Sequence, residues 1–335
     1  MYQQLLSAYK GKKVLVTGHT GFKGSWLSIW LKELGADVVG YALDPKTDKD
    51  NFVVTGLSEK IKDIRGDIRD RDKLMQVFKN EKPEIVFHLA AQPLVFVSYE
   101  DPLETLETNI IGTVNVLEAI RQTGSVHTGI MITSDKCYEN REIIWGYREN
   151  DPMGGHDPYS ASKGSAELVI NSYRKSFFGN SGKAIASARA GNVVGGGDWS
   201  KYRLIPDIVR AIEAGKTIDL RNPKATRPWQ HVLEPLGGYL MLGTKIMEEP
   251  EIYAEAWNFG PYPNEVKPVQ AMVNKMIRYF GKGQWKDISQ DNLHHEAKLL
   301  TLDITKALTL LGWKPELTLD ETIQMTVEWY KNYNQ

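Results

Sequence analysis

The sequence predicts an α/β protein, a doubly wound parallel sheet followed by a smaller mixed C-terminal region. Short β-branched runs alternate with helix-period segments over the first two-thirds of the chain, as in successive βαβ units. The rhythm breaks after Asn192, where Gly195-Gly196-Gly197 opens a loop and later elements are unevenly spaced. A length of 335 residues with 41% hydrophobic composition is enough to bury a large core and a smaller companion.

The elements follow in order. Residues 13–17, Lys-Val-Leu-Val-Thr, read as a buried strand. A helix over 25–34 places Leu27, Leu31 and Leu34 on one face and stops at Gly35. Strands are expected over 37–41, 84–89, 129–132 and 184–189, and helices over 73–78, 105–121 and 159–177. Beyond the break come a helix over 205–214, short strands near Ile218, Trp229 and Trp257, and helices over 269–279 and 319–330. The expected division is a nucleotide-binding domain over 1–190 and a mainly substrate-binding region over 191–335, with some strands and helices exchanged.

Net charge is −1 with acids and bases nearly equal, which gives no electrostatic case for nucleic acid or a membrane surface. Cys137 is the single cysteine, so no intrachain disulfide or multi-cysteine zinc site is possible, and a reducing compartment fits. Residues 1–13 lack an apolar signal core. The longest apolar stretch, 85–97, is broken by His88, Gln92 and Pro93. The expectation is a soluble cytoplasmic protein.

The first strand runs into Gly18-His19-Thr20-Gly21-Phe22-Lys23-Gly24, which opens the first helix. Glycine permits positive φ there and lets backbone N–H groups approach a pyrophosphate favoured by the helix N-terminus. Asp44 falls twenty residues beyond Gly24, at the end of the second strand, where a carboxylate accepts an adenosine ribose and repels a 2′-phosphate. NAD is favoured over NADP, and the fold is Rossmann-type.

Tyr159 and Lys163 stand four apart on a helix and so share a face. A lysine ammonium stabilises phenolate and lowers a tyrosine pKa towards working pH, making a base for an alcohol proton. Tyr9 and Lys13 have the same spacing but precede the first strand. Thr133-Ser134-Asp135-Lys136 ends an apolar strand and adds an acid and an amine to the set. Alcohol oxidation does not need them. A second chemical step is implied.

The glycine spacing, the Tyr/Lys pair and Thr133 together resemble the extended short-chain dehydrogenase/reductase superfamily. Within it, Asp135-Lys136 in Thr133-Ser134-Asp135-Lys136-Cys137-Tyr138 resembles the nucleotide-sugar 4,6-dehydratases, the CDP-glucose enzymes in particular. The likeness runs along nearly the whole chain, through Trp145-Gly146-Tyr147-Arg148-Glu149, Arg227-Pro228-Trp229-Gln230-His231 and Trp257-Asn258-Phe259-Gly260. A short turn at 179–183 and an early stop after the last helix depart from it.

The resemblance implies a cofactor site of Gly18, Thr20, Gly21, Phe22, Gly24, Asp44, Asp67, Ile68, Ala90 and Ala91, with Tyr159 and Lys163. Thr133, Asp135, Lys136, Tyr159 and Lys163 would be catalytic, and Ser134, Asn192, Leu204, Arg227 and Asn258 would contact a nucleotide sugar. Tyr159 would take the 4-hydroxyl proton, Lys136 the C5 proton, and Asp135 would protonate the departing 6-hydroxyl. The resemblance also implies at least a homodimer through the 105–121 and 159–177 helices, with Ala161, Ala166, Ile110 and Val114 packed closely.

Two other functions remain open on the residues. A sugar-nucleotide 4-epimerase would need no acid/base pair like Asp135-Lys136. A dinucleotide-binding regulator without chemistry would not need Tyr159 and Lys163. His294-His295-Glu296 is read as no metal site, because adjacent histidines rarely converge on one ion. Cys137 is read as packing.

Overall fold

The computed structural model describes residues 2–179, 181–289 and 299–334. Six parallel strands come from the first 190 residues: β1 (Lys13–Thr17), β2 (Asp37–Ala42), β3 (Lys62–Arg65), β4 (Ile85–His88), β5 (Thr128–Ile132) and β6 (Ala184–Ala190). Their spatial order is 6-5-4-1-2-3, and a seventh strand, Ala256–Phe259, adds beyond β6. Every pairing in this sheet is parallel, with Val14 beside both Val38 and Ile85. The order reverses between β1 and β4, the crevice where such sheets bind ligands.

Alternation along the strands builds two core layers. Val14, Val16, Phe87 and Ile130 face Leu27, Leu31, Leu236 and Leu240. Leu15, Val39, Val86 and Met131 face Leu74, Phe78, Val116 and Ile120 on the other side. A third cluster, with Val209, Ile212, Met272, Ile323 and Tyr330, holds the C-terminal helices together.

Three elements escape the sequence pattern. β3, Lys-Asp-Ile-Arg, is a half-buried edge strand, so it shows no apolar run. The helix Leu233–Glu248 is buried nearly all round against β5 and β6 and therefore has little amphipathic signal. A Cβ on its Gly238 would sit 2.4 Å from the Phe259 ring. The helix Tyr2–Tyr9 buries Tyr9, whose hydroxyl donates to the Leu240 carbonyl at 2.9 Å. That contact accounts for a tyrosine that matches the Tyr/Lys spacing without reaching the cleft.

The expected 105–121 helix is a composite. Pro102–Leu106 leads into a wider π-type turn, Glu107–Ile111, before Gly112–Gln122. The turn lies between them and carries Asn109, which is buried. Its Nδ2 donates to the Gln92 carbonyl at 3.0 Å and to Ser162 Oγ at 2.8 Å.

Candidate active site

The loop after β1 is built for close backbone approach. Gly18 has φ 76°, and a Cβ there would lie 2.7 Å from the Ala90 backbone nitrogen. A Cβ on Gly24 would fall 2.0 Å from the Gly18 carbonyl oxygen. Only glycine fits either place, so the loop is a cradle open to a diphosphate. Gly21 caps the helix Phe22–Glu33. Thr20 donates its hydroxyl to the Leu43 carbonyl at 2.9 Å, tying the cradle to the end of β2. The Ala90 nitrogen donates to Thr17 Oγ1 at 3.2 Å, which fixes the backbone at Ala90 against Gly18.

Asp44 is largely in solvent beside Arg65. Asp67 accepts three hydrogen bonds from Arg69, at 2.7–2.9 Å. Burial would raise this carboxyl, but those bonds hold it below its ordinary range. The Ile68 side chain is buried, its Cδ1 filling the space where a Cβ on Gly112 would sit. Its methyls are core packing.

A cavity of about 660 Å³ opens at the strand ends. Asp135, Lys136, Tyr159, Lys163, Asn192, Leu204 and Arg227 all line it. The helix Pro158–Tyr173 delivers the Tyr/Lys pair. Pro158 starts it, and Asp157 caps it by accepting from the Ser160 N–H at 2.9 Å. Lys163 Nζ lies 5.9 Å from the centre of the Tyr159 ring. Burial pushes the Tyr159 hydroxyl up to about 12, with the hydrogen bond to Ser134 acting the other way. Desolvation thus outweighs the lowering by the Ser134 hydrogen bond and the Arg203 charge. Burial also brings Lys163 down to about 8, although the Glu167 charge opposes it.

Two adjacent hydroxyls at the end of β5 part company. Thr133 donates to Glu167 Oε1 at 2.5 Å, inside the protein. Ser134 is the hydroxyl that lowers the Tyr159 phenol against the effect of burial. Both residues line the cavity, and the Ser134 hydroxyl, rather than that of the expected Thr133, acts on the Tyr159 phenol. Ser134 also donates to Asp135 Oδ1 at 2.9 Å and accepts from the Lys136 N–H at 3.2 Å. Asp135 Oδ2 is buried with no hydrogen-bond partner among the described residues. A carboxylate oxygen so placed against the cavity is suited to meeting a ligand group.

Asn258 does not reach the cavity. Its side chain accepts from the Tyr138 hydroxyl and donates to the Tyr147 and Asp303 carbonyls, so its capacity is spent inside the protein. Arg227 is buried, lines the cavity and donates to the Thr226 carbonyl at 2.8 Å.

Sequence reasoning passed over Lys23, Glu167, Arg203 and His88. Lys23 lines the cavity, and burial brings it down to about 7, with Lys163 and Arg203 adding to the effect. Arg203 also lines the cavity and pairs with Asp198 at 2.9 Å. His88 sits between Thr17 and Thr113, its pKa lowered by burial to about 3, so it is neutral. Glu167 shares a face with Tyr159 and Lys163 one turn further on, a spacing the sequence displayed. Burial pushes the Cys137 thiol up, which suits a packing role. His294-His295-Glu296 lies outside the described residues. Among those described, no three His, Cys, Asp or Glu residues could share a metal ion, and no helix is long and apolar enough to cross a membrane.

A glycine cradle, a Tyr/Lys pair and an added acid and amine on one cavity define an extended short-chain dehydrogenase/reductase with sugar-nucleotide chemistry. The chain belongs to the GDP-mannose 4,6-dehydratase family, whose model matches residues 15–326. It is 52% identical over 328 residues to a CDP-glucose 4,6-dehydratase of Salmonella typhimurium, covering 96% of this chain and 91% of that one. Its fold is similar to an epimerase from Methanothermobacter thermautotrophicus, with TM-score 0.85, 27% identity and coverage of 99% and 96%. The solved complex of MoeE5 with UDP-glucose and NAD gives TM-score 0.81 at 25% identity, covering 96% and 100%.

Proposed function

We propose that the chain is a CDP-glucose 4,6-dehydratase that uses NAD. The observation that carries this reading is the meeting of Asp135 and Lys136 with Tyr159 and Lys163 on one cavity. The substantial identity to the Salmonella enzyme supports CDP-glucose as the substrate. The glycine cradle fits a dinucleotide diphosphate, and Asp44 fits an unphosphorylated ribose. NAD, when bound, accepts the C4 hydride of the sugar and returns it at C6.

The residues divide the proton work. Tyr159 removes the 4-hydroxyl proton, with Lys163 as the nearby cation and Ser134 as the hydrogen-bonding hydroxyl. The 4-ketone acidifies C5–H, and Lys136, as a neutral amine, takes that proton. Asp135, protonated, gives its proton to the 6-hydroxyl, which leaves as water and closes a C5–C6 double bond. After C6 is reduced, Lys136 returns a proton to C5. The sum is loss of one water, with no net oxidation. Asn192, Leu204 and Arg227 are proposed substrate contacts, the last as a guanidinium for the diphosphate. Thr133 is proposed as a positioning residue and Asn258 as a buried cross-link.

A 4-epimerase returns its hydride to C4 and has no use for a leaving-group acid, and a regulator without chemistry has none for Tyr159 and Lys163. Incubation with CDP-, UDP-, GDP- and dTDP-glucose should give a 4-keto-6-deoxy product fastest from CDP-glucose. A 4-epimeric sugar, or no turnover of any of them, would overturn the reading.

Residues 1–190 are proposed as the cofactor half and 191–335 as mainly the sugar-nucleotide half. The seventh strand and the helix Leu233–Glu248 are the elements exchanged. A homodimer is proposed through the outer faces of the helices around Glu107–Ile111 and Pro158–Tyr173. Leu103, Ile111 and Leu168 are more than half exposed there, a cost that pairing with a second copy would remove. Ala166, expected at that interface, is instead buried within its own chain. Sedimentation as a monomer at micromolar concentration would refute the dimer. A cytoplasmic location fits the free, buried Cys137, and the product suits deoxysugar assembly such as lipopolysaccharide O-antigen.

A further inference from the structure

Arg221 lines the cavity directly after the short strand Ile218–Leu220. Ile218 and Leu220 are buried in the third core cluster, and the Leu220 carbonyl accepts from the Ile288 N–H at 2.9 Å, so the backbone leading into Arg221 is fixed. Its guanidinium carbon lies 4.4 Å from the centre of the Phe96 ring. Phe96 belongs to the helix Val95–Glu100, whose Ser98 hydroxyl accepts from the Tyr159 N–H at 3.2 Å. The Phe96 ring also meets that of Tyr202 at 5.4 Å, and Tyr202 holds φ 64°, a left-handed backbone rare for a bulky residue. A cation from the C-terminal region is thus carried across to the element that abuts the head of the Tyr159 helix. Among the described residues Arg221 makes no ion pair and no side-chain hydrogen bond. Its neighbour Asp219 is engaged with Lys286 at 3.3 Å, and Arg203, another guanidinium on the cavity, with Asp198.

We propose that Arg221 is a second guanidinium for the substrate diphosphate, held over the cavity by Phe96 and acting together with Arg227. This rests on the reading that the cavity receives a sugar nucleotide. The diphosphate of such a molecule carries a negative charge on each phosphate, and one guanidinium meets only one of them bidentately. Arg221 and Arg227 bound the loop between the strands Ile218–Leu220 and Thr226–Arg227, so one segment sets both guanidiniums on the cavity. A guanidinium that meets a ring through its central carbon keeps its in-plane N–H groups for another partner. The ring supplies no counter-charge, so a phosphate gains a charge-assisted pair there without displacing a carboxylate. By holding the side chain beforehand, Phe96 also lowers the rotamer entropy that binding would otherwise cost.

The test is calorimetric titration of the whole purified chain with CDP, followed by displacement of CDP with inorganic pyrophosphate and with cytidine. Arg221→Gln should weaken CDP and pyrophosphate by roughly tenfold to a hundredfold, the size of the charge-assisted bonds lost, and leave cytidine unmoved. Arg221→Lys keeps the charge without the fork and should recover part of the loss. Phe96→Leu removes the ring but no charge and should weaken pyrophosphate by a smaller factor. In turnover, Arg221→Gln should raise KM for CDP-glucose with kcat little changed, as loss of uniform binding requires. Thermal unfolding checks each variant. Should Arg221→Gln not fold, the Lys variant decides, weaker pyrophosphate with unmoved cytidine being the expected result. Pyrophosphate affinity unchanged in the Arg221 variants, or cytidine weakened as much as pyrophosphate, would overturn the proposal while leaving the dehydratase reading standing. A wild-type chain that binds no CDP would instead strike the sugar-nucleotide reading, and this inference with it.

Discussion

Replacing Glu167 by Gln should destabilise the protein far more than an ordinary substitution. Glu167 is 3% exposed and accepts from Thr133 at 2.5 Å, Ser187 at 2.8 Å and Arg189 at 2.8 Å. Burial alone would raise its carboxyl, but the Arg189 charge and these bonds hold it below the usual range. Arg189, 4% exposed, reaches on to the Tyr138 hydroxyl at 2.6 Å and the Glu149 carbonyl at 2.9 Å. The amide keeps the shape and removes the charge. A buried guanidinium left without its counter-charge costs about 3–5 kcal/mol. Equilibrium urea unfolding followed by tryptophan fluorescence reads this as a lowered midpoint. Glu167→Leu with Arg189→Met removes both charges and should lose clearly less, since apolar replacement of a buried pair is often near neutral. A loss below about 1 kcal/mol for Glu167→Gln, or a double variant no better than the single, would refute the reasoning.

Ser134→Ala should lower kcat by on the order of 10²-fold with the fold intact, whereas Thr133→Val should mainly lower the melting temperature; the reverse split would return the catalytic hydroxyl to Thr133. Asp135→Asn and Lys136→Met should pass the first hydride transfer and stall at elimination. Enzyme-bound NADH should then accumulate in a single turnover, while Tyr159→Phe should form little, and water loss at an ordinary rate in either acid/base variant would undo their roles. With Lys163 at about 8, its ammonium is present below that pH and lost above it, so kcat/KM should fall on an alkaline limb near 8. Lys163→Arg, which stays charged, should move that limb upward, and an unmoved limb would assign it to another group.

Much of this protein is written in local patterns. Alternation of β-branched and helix-period runs determines the parallel sheet, because burial on both faces demands continuous apolar strands. The glycine spacing after β1 determines the cradle, because no other residue tolerates φ 76° at Gly18 or the 2.0 Å approach at Gly24. Tyr159, Lys163, Asp135 and Lys136 are legible because chemistry dictates residue type and a helix or strand end dictates spacing.

The tertiary structure decided what depends on partners far away in the chain. Thr133 and Ser134 look alike in sequence and both line the cavity, and only Glu167, 34 residues on, occupies the Thr133 hydroxyl. Asn258 sits in a motif typical of a nucleotide cleft, yet Tyr138, Tyr147 and Asp303 use up its hydrogen bonds. The helix Leu233–Glu248 has no polar face to mark it, because the sheet and Tyr9 cover its sides. The Tyr159 pKa follows the same rule: the i, i+4 spacing places a cation nearby, but how much water the folded chain leaves around the phenol sets the balance. Desolvation and hydrogen-bond satisfaction are properties of the assembled neighbourhood, and no window of sequence contains them.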